Sequence, residues 1–393
     1  MHSDSLYSYA SGEYFVCNNE YSYLKHLGYK VSFIHYSSIL QKLFKNKSFL
    51  GALLIINYIF SIEVFIRILI QLIIFKPNII HLHGIFPHLS SSCLFAARLL
   101  KIPIVQTLHN VRWLCLEGGF FNKGRYCEVC LKKGYFHGVK LSCYRNKLAS
   151  FLLYFSRKLV WNPKHPLQFI NKFIAVSEYI KSKHVIAGIP DSKIIVKHNP
   201  VSTNNDYTTT DCFRSGIVYF GRVSKAKGSA TLKLIAKHIK TNFNIIGDGP
   251  DLENLKDYCK SNKLDHVRFW NQQTQDKCFK IISSSVCTVV PSVCGESFSL
   301  TAAESMALST PVVGFNVGGL SSLIKNSGGG LLVNTNSDED FVKSVNQLIA
   351  DHSYASYLGT LGQDYVKTHL DPDLNIKQLI SIYKEVINSN KVK

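Results

Sequence analysis

Two carboxylates, Glu296 and Glu304, are separated by seven residues in the stretch VVPSVCGESFSLTAAESMALSTPVVGFNVGG, residues 289–319. The stretch predicts a short buried strand, a loop holding Glu296, a helix starting near Leu300 and a second strand from Pro311. Such a helix start offers backbone N–H groups and the positive end of its dipole to a phosphate. An acid in the loop and another one turn into the helix could hold hydroxyls on either side of a bound diphosphate. A plainer reading exists for the same residues. Thr301-Ala-Ala-Glu304 fits a capping box, in which Glu304 only satisfies backbone donors, and Glu296 would be a solvated loop acid.

Two cations lie upstream. In Gly221-Arg222-Val-Ser-Lys-Ala-Lys227-Gly228, Arg222 and Lys227 straddle a turn after an apolar strand, where they could neutralise a diphosphate. Either one alone reads as a surface cation. Gly247-Asp248-Gly249-Pro250 closes the next strand and lets backbone approach a ligand, or simply turns the chain tightly into a helix.

These residues need a scaffold. In the second half, strands are predicted at 216–220, 244–246, 266–269, 288–291 and 311–315. In the first half, a helix over 20–27 alternates with strands at 30–34, 78–83, 102–108, 173–176 and 193–197. Apolar strands separated by helical segments predict a parallel α/β sheet in each half, joined by a polar, turn-rich linker at 200–210. Ligands of such sheets collect at the carboxyl ends of strands, where His83, His109 and Ser177 fall. A lone histidine there is usually structural, but three polar strand ends favour a cleft. The expected architecture is two similar α/β halves facing across it.

Composition agrees. At 393 residues, 46% of them apolar, the chain is long enough for two packed domains. A formal charge of +19 implies an anionic partner: a nucleotide, a nucleic acid or an acidic membrane surface. The basic residues are scattered and no DNA- or RNA-binding motif occurs, so nucleic acid is set aside. The start, MHSDSLYSYASGEYF, lacks a basic head followed by an apolar core, so no signal peptide is expected. Eleven cysteines, an odd number, suit a reducing cytoplasm. Residues 48–75 are strongly apolar, yet the longest uncharged run, 48–62, is 15 residues. A spanning helix needs roughly 20. With Glu63 and Arg67 one helical turn apart, the segment reads as a buried or membrane-surface helix.

Together, Arg222…Lys227-Gly228, Gly247-Asp248-Gly249-Pro250 and Glu296-x7-Glu304 followed by Pro311-Val312-Val313 resemble the donor half of retaining glycosyltransferase family 4. The resemblance covers nearly the whole chain. It implies the GT-B fold, an α/β architecture of two Rossmann-like domains facing across a cleft. Residues 1–200 would form the acceptor-side domain, 201–370 the nucleotide-sugar donor domain, and 371–393 a helix crossing back to the first. It further implies that Arg222 and Lys227 bind the donor diphosphate and stabilise the leaving group. Glu304 would hold the ribose hydroxyls and Glu296 the hydroxyls of the transferred sugar. Gly249 and the backbone of Phe298, Ser299 and Leu300 would contact sugar or phosphate. His109 matches the histidine that reaches the donor sugar. Ser299 and Ser309 depart from the family pattern, which usually has glycine at both positions.

The implied reaction is transfer of a sugar from a UDP- or GDP-sugar with retained anomeric configuration and no catalytic metal; no Asp-x-Asp metal motif is needed and none is expected. Breaking a glycosyl–phosphate bond builds negative charge on the diphosphate, and two cations with a helix start would stabilise it there. In the mechanism usually proposed for the family, the acceptor attacks from the face the phosphate leaves. A phosphate oxygen takes its proton.

Cys115, Cys127, Cys130 and Cys143 lie in a loop at 113–145, LCLEGGFFNKGRYCEVCLKKGYFHGVKLSCYR, around a central C-x2-C. Four thiols with this spacing could hold a structural zinc, or remain reduced in a folded loop. The block resembles a subgroup of the family from bacterial surface-polysaccharide clusters. That subgroup implies a lipid-linked oligosaccharide or glycan acceptor, and a cytoplasmic protein attached peripherally to the inner face of the membrane.

The chain opens where the family's first strand should stand, and Ser11-Gly12-Glu13 resembles the segment just after that strand; the strand is expected to be missing or reduced. Two other functions are weighed. A sugar-nucleotide 2-epimerase shares the architecture, although the Arg222/Lys227 and Glu296/Glu304 set belongs to the transferases. A catalytically silent sugar-nucleotide binder would result from the clipped first strand.

Overall fold

The computed structural model describes residues 2–3, 12–36, 59–84, 89–160, 166–202, 214–335 and 337–391. It divides into two compact units. One comprises Met1–Gly119, Glu128–His198 and Asn375–Lys393; the other comprises Phe120–Cys127 and Asn199–Leu374. Residues 203–210 of the expected linker and 48–58 of the apolar segment lie outside the described residues.

The first unit opens with strand β1 (His2–Ser3), helix α1 (Gly12–His26) and strand β2 (His35–Tyr36), and β1 pairs with β2 in parallel. No strand forms at 30–34 as expected; the described pairing with β1 begins at His35. Among the described residues, β1 and β2 form a two-stranded sheet separate from the sheet described below. Helix α2 (Ile62–Phe75) starts on Ser61, whose hydroxyl accepts from the Val64 N–H, and ends at Lys76 in the left-handed conformation. It buries Val64, Ile68 and Leu72 and packs on helix α3 (Ser92–Leu99). Ile62, Ile66, Ile70, Ile73 and Ile74 remain exposed. No helix of the described residues is long and apolar enough to cross a membrane.

Strands β3 (Ile80–Leu82) and β4 (Ile104–Leu108) pair in parallel. A small antiparallel hairpin, β5 (Phe121–Asn122) and β6 (Arg125–Tyr126), belongs to the other unit, where Tyr126 packs on the core. Short helices α4 (Val129–Lys133) and α5 (Phe136–Lys140) lead to the longer α6 (Lys147–Val160). Strand β7 (Lys172–Ala175), helix α7 (Glu178–Ile186) and strand β8 (Ile194–Val196) complete a parallel four-stranded sheet in the order β3-β4-β7-β8. All four strands therefore end on the same edge.

The second unit alternates strand and helix without interruption: β9 (Ile217–Phe220), α8 (Ser229–His238), β10 (Phe243–Ile246), α9 (Leu252–Ser261), β11 (Val267–Asn271), α10 (Gln275–Ser283), β12 (Cys287–Val290), α11 (Leu300–Ala307), β13 (Val312–Phe315), α12 (Gly318–Ser327) and β14 (Gly330–Val333). Helices α13 (Asp338–Ala350) and α14 (His352–His369) come next. Six parallel strands run in the order β11-β10-β9-β12-β13-β14, a doubly wound sheet whose order reverses between β9 and β12. Every residue of β12 and β13 is buried, as expected of strands covered on both faces. Ile217 and Tyr219 of β9 face one core with Leu232, Val313, Phe315 and Phe341, while Val218 faces the other with Phe279 and Ile282.

The last helix, α15 (Pro372–Lys391), belongs mostly to the first unit. Ile376, Leu379, Ile382 and Val386 form one apolar stripe, packed with Val105 of β4 and Ile174 of β7.

Candidate functional site

The reversal of strand order in the second unit brings two loops side by side: 221–228 after β9 and 291–299 after β12. They are bonded to each other, the Val293 N–H donating to the Ala226 carbonyl. Their approach needs a glycine. Gly228 has φ +81°, and a Cβ there would stand 2.0 Å from the Pro291 carbonyl oxygen. The first loop is also held from beside, by the Tyr219 hydroxyl donating to the Arg222 carbonyl and the Val223 N–H donating to that of Asp248. The Gly247–Pro250 turn is thus packed on the first loop. A Cβ at Gly249 would come within 2.2 Å of the Val223 carbonyl oxygen.

Lys227 and Glu296 meet across these loops, Nζ to Oε1 at 2.5 Å, and the Ser292 hydroxyl donates to the same oxygen. Burial opposes the charge on each, but each outweighs that for the other: Lys227 is raised and Glu296 lowered. Both are therefore charged at neutral pH. Exposure separates their roles, since the lysine side chain is 36% exposed and the carboxylate 9%. A buried acid aims a cation that still reaches solvent. Arg222 is exposed on the same loop. Sequence reasoning paired neither Lys227 with Glu296 nor Ser292 with either. The glycines that close the Val289–Gly319 stretch locate the acid: the Gly319 N–H donates to the Glu296 carbonyl, and a Cβ at Gly318 would strike the Glu296 backbone at 2.5 Å.

Helix α11 begins at Leu300 with Ser299 as its N-cap, so Glu304 is the fifth helical residue and the capping box does not form. Ser299 is buried at φ 72°, a left-handed conformation that favours glycine, and its side chain makes no cap hydrogen bond. Ser309 has φ 54°. Both departures from the family pattern therefore occupy backbone that suits the missing glycine. Glu304 is half-buried, makes no hydrogen bond or ion pair among the described residues, and is pushed up to about 7 by burial. An unpartnered carboxyl of this kind is suited to accept from ligand hydroxyls. Two Asp-x-Asp tripeptides do occur, and both start helices. Asp338 of 338–340 accepts from the Thr231 hydroxyl, and Asp371 of 371–373 accepts from the N–H groups of Asp373 and Leu374.

In the first unit, the carboxyl edge of the sheet gathers a polar network. His83, after β3, meets His109, after β4, Nδ1 to Nε2 at 2.9 Å. His83 Nε2 lies 3.3 Å from Glu20 Oε2 of α1, and Glu20 Oε1 receives the Lys197 ammonium at 2.9 Å. Lys197 also donates to Asn375 of α15, whose amide donates to the His198 carbonyl. His81 sits between the Tyr383 hydroxyl, 2.6 Å from Nδ1, and the Thr107 hydroxyl, 2.7 Å from Nε2. Ser177, after β7 on the same edge, caps α7 by accepting from the Ile180 N–H. Glu20, His81, Lys197, Asn375 and Tyr383 were not foreseen.

Cys115, Cys127, Cys130 and Cys143 do not converge. Among the described residues, no three of their sulfurs lie within 4.8 Å of one another, the proximity a shared ion requires. Cys127 goes with the second unit and the other three with the first. Cys130 is packed beside Gly138, and Cys143 lies on the apolar cluster of Leu116, Val139 and Leu153.

Comparison with known proteins points to glycosyltransferases. Residues 21–205 match the model of the family described as Glycosyltransferase Family 4, and residues 214–364 that of Glycosyl transferases group 1. The chain is 27% identical over 290 residues, 74% of its length and 70% of the relative's, to an uncharacterized glycosyltransferase of Methanocaldococcus jannaschii. Its fold is similar to that of a glycosyltransferase from Rickettsia africae, with a TM-score of 0.68 at 17% identity over 98% of this chain and 97% of the other. It is likewise similar to Anabaena HepE, solved in complex with UDP, with a TM-score of 0.65 at 14% identity over 98% of both chains.

Proposed function

We propose that this chain, a glycosyltransferase of the GT-B fold similar to family 4, is a retaining enzyme that moves a sugar from a UDP- or GDP-sugar to a lipid-linked oligosaccharide or glycan acceptor in surface-polysaccharide synthesis. The observation that carries the donor assignment is the Lys227–Glu296 pair at the strand-order reversal of the second unit. A diphosphate leaving group gains negative charge as the glycosyl bond breaks, and Lys227, held charged by Glu296, stabilises it together with exposed Arg222. The backbone at Phe298, Ser299 and Leu300 brings the start of α11 to sugar or phosphate, and Gly249 holds the neighbouring loop. Glu304 accepts the ribose hydroxyls, Glu296 orients the transferred sugar, and His109 contacts that sugar. The acceptor hydroxyl passes its proton to a phosphate oxygen, so the anomeric configuration is retained and neither a protein base nor a metal ion is required. The UDP complex of HepE favours a uridine nucleotide as the first donor to try.

Attachment to the cytoplasmic face of the membrane is part of the proposal. Helix α6 exposes Leu148, Phe151, Phe155 and Leu159 beside exposed Phe136 and Leu141. Lys132, Lys133, Lys140, Arg145 and Lys147 of the same stretch of chain are exposed as well, with the Lys140 ammonium over the Phe136 ring. Exposed apolar side chains and cations in one stretch suit an anionic bilayer, with the isoleucine face of α2 as a further contact.

Labelled UDP- and GDP-sugars, incubated with and without lipid-linked acceptors, test the assignment. Transfer that needs an acceptor, with the product's anomeric configuration matching the donor's by NMR, is expected. Epimerised sugar nucleotide in the absence of acceptor would overturn it in favour of an isomerase; donor binding without turnover across an acceptor panel would indicate a silent binder.

A further inference from the structure

Two donors converge on one oxygen of Glu296. The Lys227 ammonium and the Ser292 hydroxyl each stand 2.5 Å from Oε1, while Oε2 accepts no hydrogen bond among the described residues. A carboxylate oxygen offers about two lone-pair positions, so Oε1 is filled and Oε2 keeps both of its own. The two donors are unequal. Lys227 brings a freely turning ammonium on a flexible stem, and its side chain is 36% exposed. Ser292 is 2% exposed and reaches Oε1 on one short bond. Its backbone is held on both sides: the Pro291 carbonyl lies close against Gly228, and the Val293 N–H donates to the Ala226 carbonyl. The last torsion of a glutamate side chain is broad, with no strong preference of its own. A mobile ammonium follows that torsion; a fixed hydroxyl sets it.

We propose that Ser292 is a positioning residue of the donor site: its buried hydroxyl fixes the plane of the Glu296 carboxylate, holding Oε1 on Lys227 and presenting Oε2 to a hydroxyl of the transferred sugar. This rests on the reading of Lys227 and Glu296 as donor-binding residues. One carboxylate then serves both halves of the donor. Through Oε1 it aims the cation that meets the diphosphate, and through Oε2 it accepts from the sugar. The main chain of Glu296 is fixed independently, by the Gly319 N–H donating to its carbonyl and its own N–H donating to the Cys294 carbonyl. Those backbone bonds leave the carboxylate free to turn, so the serine supplies what they do not. A substrate class follows. The transferred sugar carries an unblocked hydroxyl facing Oε2, since an ether or a deoxy carbon there offers no proton to a carboxylate that is only 9% exposed.

The test uses the full-length protein and UDP, the leaving group with its charge fully developed, titrated by calorimetry; GDP takes its place where UDP does not bind. Ser292→Ala should weaken UDP binding by about 3–10-fold and, in turnover assays, lower kcat more than it raises KM for the donor. Glu296→Ala removes the group through which the serine acts, so adding Ser292→Ala to it should change UDP affinity no further. A second loss of similar size in the double variant would mean that the serine only shapes the loop, and overturns the proposal. Wild-type affinity in Ser292→Ala overturns it too. Should Glu296→Ala fail to fold, Ser292→Thr decides. It keeps a hydroxyl and should retain most of the affinity that Ser292→Ala loses; equal losses in the two count against the proposal and sink it. The donor-site reading fails separately, if Lys227→Ala binds UDP and GDP as the wild type does. A wild-type chain that binds neither nucleotide overturns both.

Discussion

Each unit carries a lysine–glutamate pair at the carboxyl edge of a parallel sheet, and the two pairs are built differently. In the second unit, Lys227 is one-third exposed and its partner Glu296 receives one further bond, from Ser292. In the first, Lys197 and Glu20 are both almost fully buried, and Asn375, His83 and His81 surround them. A cation left partly in solvent can exchange its partner for a ligand's phosphate. One closed in on every side can only hold the structure together. Residue type and strand-end position are the same in both, so exposure is what separates a binding charge from a structural one.

Removing each lysine should separate the two roles. Lys197→Met leaves the buried Glu20 carboxylate uncompensated and should cost about 3–5 kcal/mol of stability. Urea denaturation measures this, and nucleotide affinity measured below the transition should be nearly unchanged. Lys227→Ala should do the reverse. Turnover is expected to fall by about 10²–10³-fold, with a smaller loss of stability than in Lys197→Met, because Glu296 keeps the Ser292 hydrogen bond and water can enter where the partly exposed lysine stood. A severe folding defect in Lys227→Ala together with wild-type turnover would erase the contrast.

Glu304 sharpens the same comparison without a cation. Its carboxyl is raised to about 7, so the folded chain favours the protonated form. Stability contributed at this site is full below the ordinary carboxylate range and is lost as pH rises through about 7, opposite to a paired acid such as Glu296. Glu304→Gln should therefore stabilise the unliganded protein at pH 8 while weakening nucleotide binding by roughly 10–100-fold. In the wild type, nucleotide affinity should rise with pH through about 7, which calorimetry across that range would check. The smallest effect is expected at the left-handed serines. Ser309→Gly relieves φ 54° and should gain up to about 1 kcal/mol, seen as a raised Tm.

Much of the second unit was legible because strands buried on both faces read as unbroken apolar runs, and the loops after them carry charge or glycine. Residues 311–315 and 288–291 were read within a residue of β13 and β12. The sixth strand, β14, was missed, since Gly330 and its weakly buried leucines give no such run. In the first unit the decisive partners are 177 and 302 residues apart, Glu20 with Lys197 and His81 with Tyr383. No local pattern marks them, and a lone Glu or Lys in a chain reads as solvated. The capping box and the four-cysteine set were misleading for one reason. Spacing describes separation along the chain, but the helix starts two residues earlier than the box needs, and the cysteines divide between two units.

The place of α15 has a consequence for how the molecule is made. Asn375 and Tyr383 tie Lys197 and His81 into the network of the first unit, and Leu379 and Ile382 complete its apolar core. During synthesis those residues leave the ribosome only after the whole second unit has emerged. The unit begun first is therefore finished last, and a chain stopped at residue 374 would carry a mature second unit and a first unit still waiting for its final helix.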